Sequence, residues 1–321
     1  MNKKFKMEKE MNKVFKSNLY FLIIMLISIF VPSLILAPIY SVLGITNPLL
    51  ILALNHITIF LIPAIIYTII TKSNPKELFR LNKLHLKDLL IVILIAFMCQ
   101  PIMTACSSIS LLFFKNEIGN FMLEVSNTSV IILTLVIAIM PAITEEVTLR
   151  GVVLSGYNNK SKMKAAIMVG LFFGIFHLDA QQFLYTAVMG FITAYVVRVT
   201  NSIFSSMIIH FLINGSSLAL QQLIIKIMGN SYMREAFKQA SNTTFQDNLM
   251  VAKVWVAIGC CFVPIVYALI KVLEKWNIKR DIEGYKTQLE IEKNDKEKII
   301  NIPLILIIVF YLIYMIFFGR H

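Results

Sequence analysis

The chain has 321 residues, 58% hydrophobic and only 15% charged, with a net charge of +12. A soluble globular protein is about half apolar and about a quarter charged, so a single water-soluble core is excluded. A nucleic-acid surface is excluded as well, because the lysines and arginines fall mostly between long apolar runs, where they set orientation and meet anionic lipid.

A helix that crosses a bilayer needs about 20 mostly apolar residues. Nine runs approach that length, near 19–40, 47–71, 88–114, 129–157, 164–180, 183–199, 203–225, 252–273 and 301–319. The expectation is therefore an all-α, polytopic transmembrane helical bundle of about 8–9 spans, multi-pass in the cell membrane. Residues 1–17 form a basic tail with Lys3, Lys4, Lys6, Lys9, Lys13 and Lys16. The first run is too long for a signal peptide and lacks a small-x-small cleavage site, so it reads as an uncleaved anchor. The amino-terminal spans occupy 18–128. Their connections alternate in charge: 41–46 has no cation, 72–87 carries Lys72, Lys76, Arg80, Lys83 and Lys87, and 115–127 has only Lys115. The run 129–157 is long and contains Pro141, which predicts a kink or a protruding end. Lys160, Lys162 and Lys164 follow it, residues 181–182 are uncharged, and Arg198 comes before the next span. This alternation predicts a cytoplasmic amino terminus.

The core 129–225 leads into a carboxyl-terminal part, 226–321, with a charged connection at 274–300. Its Glu283, Lys286, Glu290, Lys293 and Glu297 read as a solvated or interfacial helix. Cys99, Cys106, Cys260 and Cys261 all lie in predicted spans without metal-type spacing, so no structural disulfide is expected.

Polar residues inside the apolar runs carry the functional signal, because ionisable groups in hydrocarbon are costly without a partner or a task. Glu145 and Glu146 are adjacent within 129–157. At 100° per residue, Glu146 and Arg150 share a face and predict an ion pair, while Glu145 is turned about 140° away from the arginine. A pair that only fixes helix packing would explain Glu146 and Arg150. It leaves Glu145 in need of another partner. Phe173 and His177 share a face of the next run, with Gly174 allowing close helix approach, and His177 is the candidate partner. His210 and Asn214 lie one turn apart on a third run, where interhelical hydrogen bonding would also account for them. Measured from each cytoplasmic end, Glu145, His177, His210 and Asn214 lie roughly 18, 20, 10 and 16 Å deep. These overlapping depths predict one shared cavity that opens towards the cytoplasm.

Glu-Glu-x-x-x-Arg, Phe-x-x-x-His and His-x-x-x-Asn on successive membrane helices resemble the CPBP family. That family includes the CAAX prenyl proteases of the Rce1 type and bacterial relatives called Abi or bacteriocin-processing proteins. The likeness covers roughly residues 139–220 and takes in Gln182-Phe183, Gly190 and Arg198 to Ile203. Val147-Thr148-Leu149 departs from it, since relatives often place an aromatic before the arginine.

The resemblance implies an intramembrane endopeptidase whose partners are a peptide or membrane-protein substrate and the lipid bilayer. Glu145 with His177 would activate a water, and His210 and Asn214 would stabilise the oxyanion. Glu146, Arg150 and Phe173 would support them. No cofactor is expected; the alternative is a zinc ion on Glu145, His177 and His210. Two other classes compete. A proton-coupled transporter would use the same residues as a relay, but no inverted repeat is visible. A catalytically idle scaffold or immunity protein would not need the motifs intact. The Lys/Asn/Ile-rich usage suggests a bacterial source, where prenylated ends are not expected, so the substrate expected is a small hydrophobic or membrane-anchored peptide.

Overall fold

A segment buried in hydrocarbon must satisfy its own backbone hydrogen bonds, and helix is how this chain does so. The structure is a computed structural model and describes residues 12–318. Lys3, Lys4, Lys6 and Lys9 of the expected basic tail lie outside the described residues. Among the described residues the elements are helical throughout: α1 (Lys13–Val42), α2 (Pro48–Thr71), α3 (Leu86–Ser110), α4 (Glu117–Glu124), α5 (Val130–Gly156) and α6 (Lys162–Phe176), then α7 (Ala180–Thr200), α8 (Ile203–Met228), α9 (Asn230–Ser241), α10 (Phe245–Arg280), α11 (Ile282–Asn294) and α12 (Ile302–Phe317).

The all-helical, polytopic class is as expected. Among the described residues, seven helices can cross a membrane by length and composition: α1, α2, α3, α5, α7, α8 and α10. The fifth and ninth expected spans are shorter helices, α6 with 15 residues and α12 with 16. The expected segment 164–180 ran through a turn that the chain makes in three residues. After α6 ends, Leu178 takes a left-handed φ of 50°. Asp179 then caps α7, accepting from the Gln181 and Gln182 amides at 2.8 and 3.2 Å. This tight reversal leaves His177 at the very end of its helix.

The break expected at Pro141 takes a specific form. Proline lacks an N–H and its ring crowds the preceding turn. In α5 the turn before it widens into a π-helical stretch, Thr134–Ile139, and a second one follows at Val147–Val153. Both glutamates sit on the regular α-helical turn between them, Met140–Glu146. Such widened turns are frequent at functional sites.

Helices α6 and α7 approach backbone to backbone. A Cβ on Gly190 would lie 2.8 Å from the Phe173 Cβ and 2.9 Å from the Gly170 Cα, and one on Gly174 would lie 2.8 Å from the Phe183 carbonyl. Small residues allow this contact where lipid supplies no hydrophobic drive between helices.

The charged connection is a helix, α11, exposed along most of its length, as its sequence predicted. Its end is nevertheless tied down. Glu292 pairs with Arg198 at 3.7 Å, and Lys160 binds the Asp295 carboxylate and the Glu297 carbonyl. The Glu297 carboxylate accepts from the Val14 and Phe15 amides at the start of α1. The start of α1 and the segment leading into α12 thus meet at the basic end of the bundle.

Candidate active site

Neighbouring positions on α5 send the two glutamates to different surroundings. Glu146 is fully buried and meets Arg150, equally buried, at 3.0 Å, the pair that their spacing predicts. Arg150 also donates to the Thr193 hydroxyl on α7, and its guanidinium stacks 4.5 Å over the Phe173 ring. Glu145 instead faces a cavity of about 650 Å³ and is the one carboxylate among the residues that line it.

His177, His210 and Asn214 line the same cavity, so the four residues singled out by their motifs converge. Their mutual contacts differ in part from expectation. No hydrogen bond or ion pair joins Glu145 to His177. The His177 Nδ1 lies 2.7 Å from the Phe173 carbonyl, which can only accept, so Nδ1 carries the proton and Nε2 keeps its lone pair. The Glu145 carboxylate faces His210, whose Nε2 is 3.9 Å away, beyond hydrogen-bonding distance. The Nδ1 of His210 is 2.9 Å from Glu146 and donates to it. His210 therefore stands between the two glutamates, and Glu146 connects it to Arg150. The Asn214 amide donates to the Ile137 carbonyl at 3.3 Å, on the π-helical turn of α5.

Phe173 is more than a spacer. Its ring packs edge-on against His177, with centroids 4.8 Å apart, and against His210 at 5.8 Å, while Arg150 covers it. One aromatic side chain thus sets the relative position of both imidazoles and the guanidinium.

His56 on α2 also lines the cavity, and no sequence motif marks it. It has no polar neighbour at helical spacing to mark it, and its partner lies on another helix: its Nδ1 is 3.0 Å from the Thr144 hydroxyl. The only sequence signal was an ionisable residue inside an apolar run. Gln100, Gln181 and Tyr185 also line the wall, and as uncharged side chains they carry an even weaker signal in the sequence.

The expected direction of opening needs correcting. The wall includes Asn116 and, from α4, Ile118, Phe121 and Met122, all in the connection between α3 and α5. It takes nothing from the cationic connections 72–85, 157–161 or 201–202. The cavity lies towards the cation-poor end of the bundle, opposite the end from which depth was measured. The shared cavity agrees with the overlapping depths, but overlap alone does not fix which end is open.

As for a zinc site on Glu145, His177 and His210, among the described residues no three His, Cys, Asp or Glu side chains are grouped so as to hold a metal ion. As these three side chains are arranged, they do not form that coordination.

Fold and site together define a multi-pass helical membrane protein with a carboxylate and three imidazoles around one internal cavity. Residues 127–216 match the family model described as type II CAAX prenyl endopeptidase Rce1-like. The match contains Glu145, Glu146, Arg150, Phe173, His177, His210 and Asn214, and it supports a CAAX-type intramembrane protease in general. No curated protein and no solved structure matches the chain.

Proposed function

We propose that the chain is an intramembrane endopeptidase that hydrolyses a peptide bond in a small hydrophobic or membrane-anchored peptide, using a water activated by Glu145 and His177. One observation carries the reading: the single carboxylate of the cavity wall faces the same space as His177, His210 and Asn214. Glu145 takes a proton from the water as it attacks the carbonyl, then returns it to the leaving nitrogen. The Nε2 lone pair of His177 orients that water, its tautomer fixed by the Phe173 carbonyl. The Asn214 amide faces the developing oxyanion, and His210 does so as an imidazolium, with Nδ1–H on Glu146 and Nε2–H towards the oxyanion. Arg150 neutralises Glu146, and Glu146 in turn holds His210 at Nδ1. The wall between these groups is apolar or neutral, with Leu52, Met103, Met122 and Gln100 among its residues, which suits an uncharged peptide segment.

The amino terminus is cytoplasmic in this reading, which puts the cavity towards the outer end of the bundle. Comparing membrane peptides in cells carrying the wild type and Glu145→Gln tests the function. A peptide that accumulates uncut in the variant is the expected result; identical peptide profiles, or substrate uptake by the variant in proteoliposomes, would overturn it. The reaction is proposed to run without metal. Cleavage of that peptide by the purified chain continues in strong chelator, and activity lost there but restored by Zn²⁺ would reverse that assignment.

A further inference from the structure

His56 belongs to no motif of the Rce1-like segment and lies outside it, yet it lines the same cavity. Its tautomer follows from its neighbours. The Thr144 hydroxyl donates its only proton to the Met140 carbonyl at 2.9 Å, so towards His56 it can only accept. The Nδ1 of His56, 3.0 Å away, must therefore be the N–H, which leaves Nε2 as a bare lone pair. No protein group satisfies that nitrogen. Nδ1 is likewise held at His177, by a carbonyl, and at His210, by a carboxylate. All three imidazoles of the cavity are tethered at Nδ1, and Thr144, which tethers His56, directly precedes Glu145.

Amide hydrolysis uses both protons of the attacking water. In the reaction proposed above, on which this inference rests, Glu145 carries the first: the O–H bond breaks, the C–O bond forms, and the proton returns to nitrogen as the C–N bond breaks. The second remains on the new carboxylic acid and must leave for the product to become a carboxylate. We propose that His56 is a further catalytic residue, whose Nε2 takes this second proton and passes it to water. Nδ1–H stays on Thr144 throughout, so the transient imidazolium keeps its place and the ring ends neutral. The carboxylate and the amine are then both free to leave the cavity.

The test uses the full chain in lipid nanodiscs and a fluorogenic version of the peptide found to accumulate in Glu145→Gln membranes. His56→Asn keeps a donor near the Nδ1 position for Thr144 but has no titratable nitrogen. His56→Gly opens space for added imidazole. The expected result is a fall in kcat of at least tenfold for both, with KM within twofold, and partial recovery of His56→Gly in millimolar imidazole. Thr144→Val, which leaves the ring untethered, is expected to lose about threefold in kcat. Full kcat in His56→Asn, or in His56→Gly without imidazole, overturns the inference while leaving the protease reading intact. If both variants fold poorly, Thr144→Val decides, and an unchanged kcat there overturns the proposal. Should Glu145→Gln itself cleave normally, the protease reading fails instead.

Discussion

At the end of the bundle that carries residues 157–161, charged groups are matched to partners. Arg198 donates to the Tyr157, Asn158 and Lys160 carbonyls, Arg80 to the Arg150 carbonyl and Asn158, and Lys160 binds Asp295. At the cavity end the pattern is reversed. Glu145 has no partner within hydrogen-bonding distance, and the imidazoles at 56, 177 and 210 are each held at Nδ1. Matched charges lock chain segments together, while one-sided tethering fixes a direction and leaves a group for a guest. The contrast divides the molecule into an end that holds the fold and an end that works. It also predicts that substitutions at the two ends will differ in what they damage.

The largest effect is expected at Glu145. Replacement by Gln removes a general base, and cleavage falls by about 10²–10⁴-fold. Stability stays near that of the wild type, because the carboxylate closes no hydrogen bond that the amide would lose. Peptide cleavage and thermal unfolding in nanodiscs, read on the same sample, check both halves. A cooperative loss of stability would erase the distinction between the ends.

Arg150 is the opposite case, because it sits between the two regions. Removing one partner of a buried pair leaves the other charge uncompensated, at a cost of about 3–5 kcal/mol. Arg150→Met is therefore expected to lose stability and activity together. Adding Glu146→Gln removes the stranded carboxylate and recovers part of the stability. It does not recover activity, since His210 has then lost its charged tether. A double-mutant cycle by thermal denaturation measures the coupling.

Gly190→Ala comes next. The added methyl meets the Gly170 Cα and Phe173 Cβ inside 3 Å. Overpacking of this kind costs about 1–3 kcal/mol. The displaced neighbour is Phe173, which positions both imidazoles, so kcat is expected to drop more than stability alone accounts for. A fall in the unfolding midpoint with unchanged kcat would show that Phe173 tolerates the shift.

What could be read from the sequence follows the same division. The Glu146–Arg150 pair, the shared face of Phe173 and His177, and the close approach at Gly174 are all local. Each depends on spacing along one helix, which a sequence displays directly. Groupings across helices were legible only where a motif marked them. His56 meets Thr144 over 88 positions of chain and no local pattern announces it. The end of the fifth apolar run is not legible in the sequence because a three-residue turn at Leu178 leaves almost no polar trace apart from Asp179. The cavity's position at the cation-poor end depends on how α4 folds back, which periodicity within the spans does not encode.

The smallest effect sharpens the comparison most, because it asks whether matched charges stabilise merely by being matched. Glu274 on α10 accepts from two lysines at the same distance, 2.9 Å: Lys162 on α6 and Lys271 on its own helix. Pair geometry alone predicts equal contributions. The side chains differ in setting, however: Lys162 is 17% exposed and Lys271 48%. An exposed pair is screened by water and salt and is worth about 0–1 kcal/mol. Lys271 also joins residues three apart on one helix, so losing it frees no tertiary contact. Lys162 connects α6, the helix that ends in His177, to α10. Lys271→Gln is accordingly expected to shift stability by less than about 0.5 kcal/mol, with the shift vanishing at high salt. Lys162→Gln is expected to cost more and to keep most of that cost in salt. Equal effects for both would mean that distance alone sets the value of a pair at this end, and that tying helices together contributes nothing beyond it.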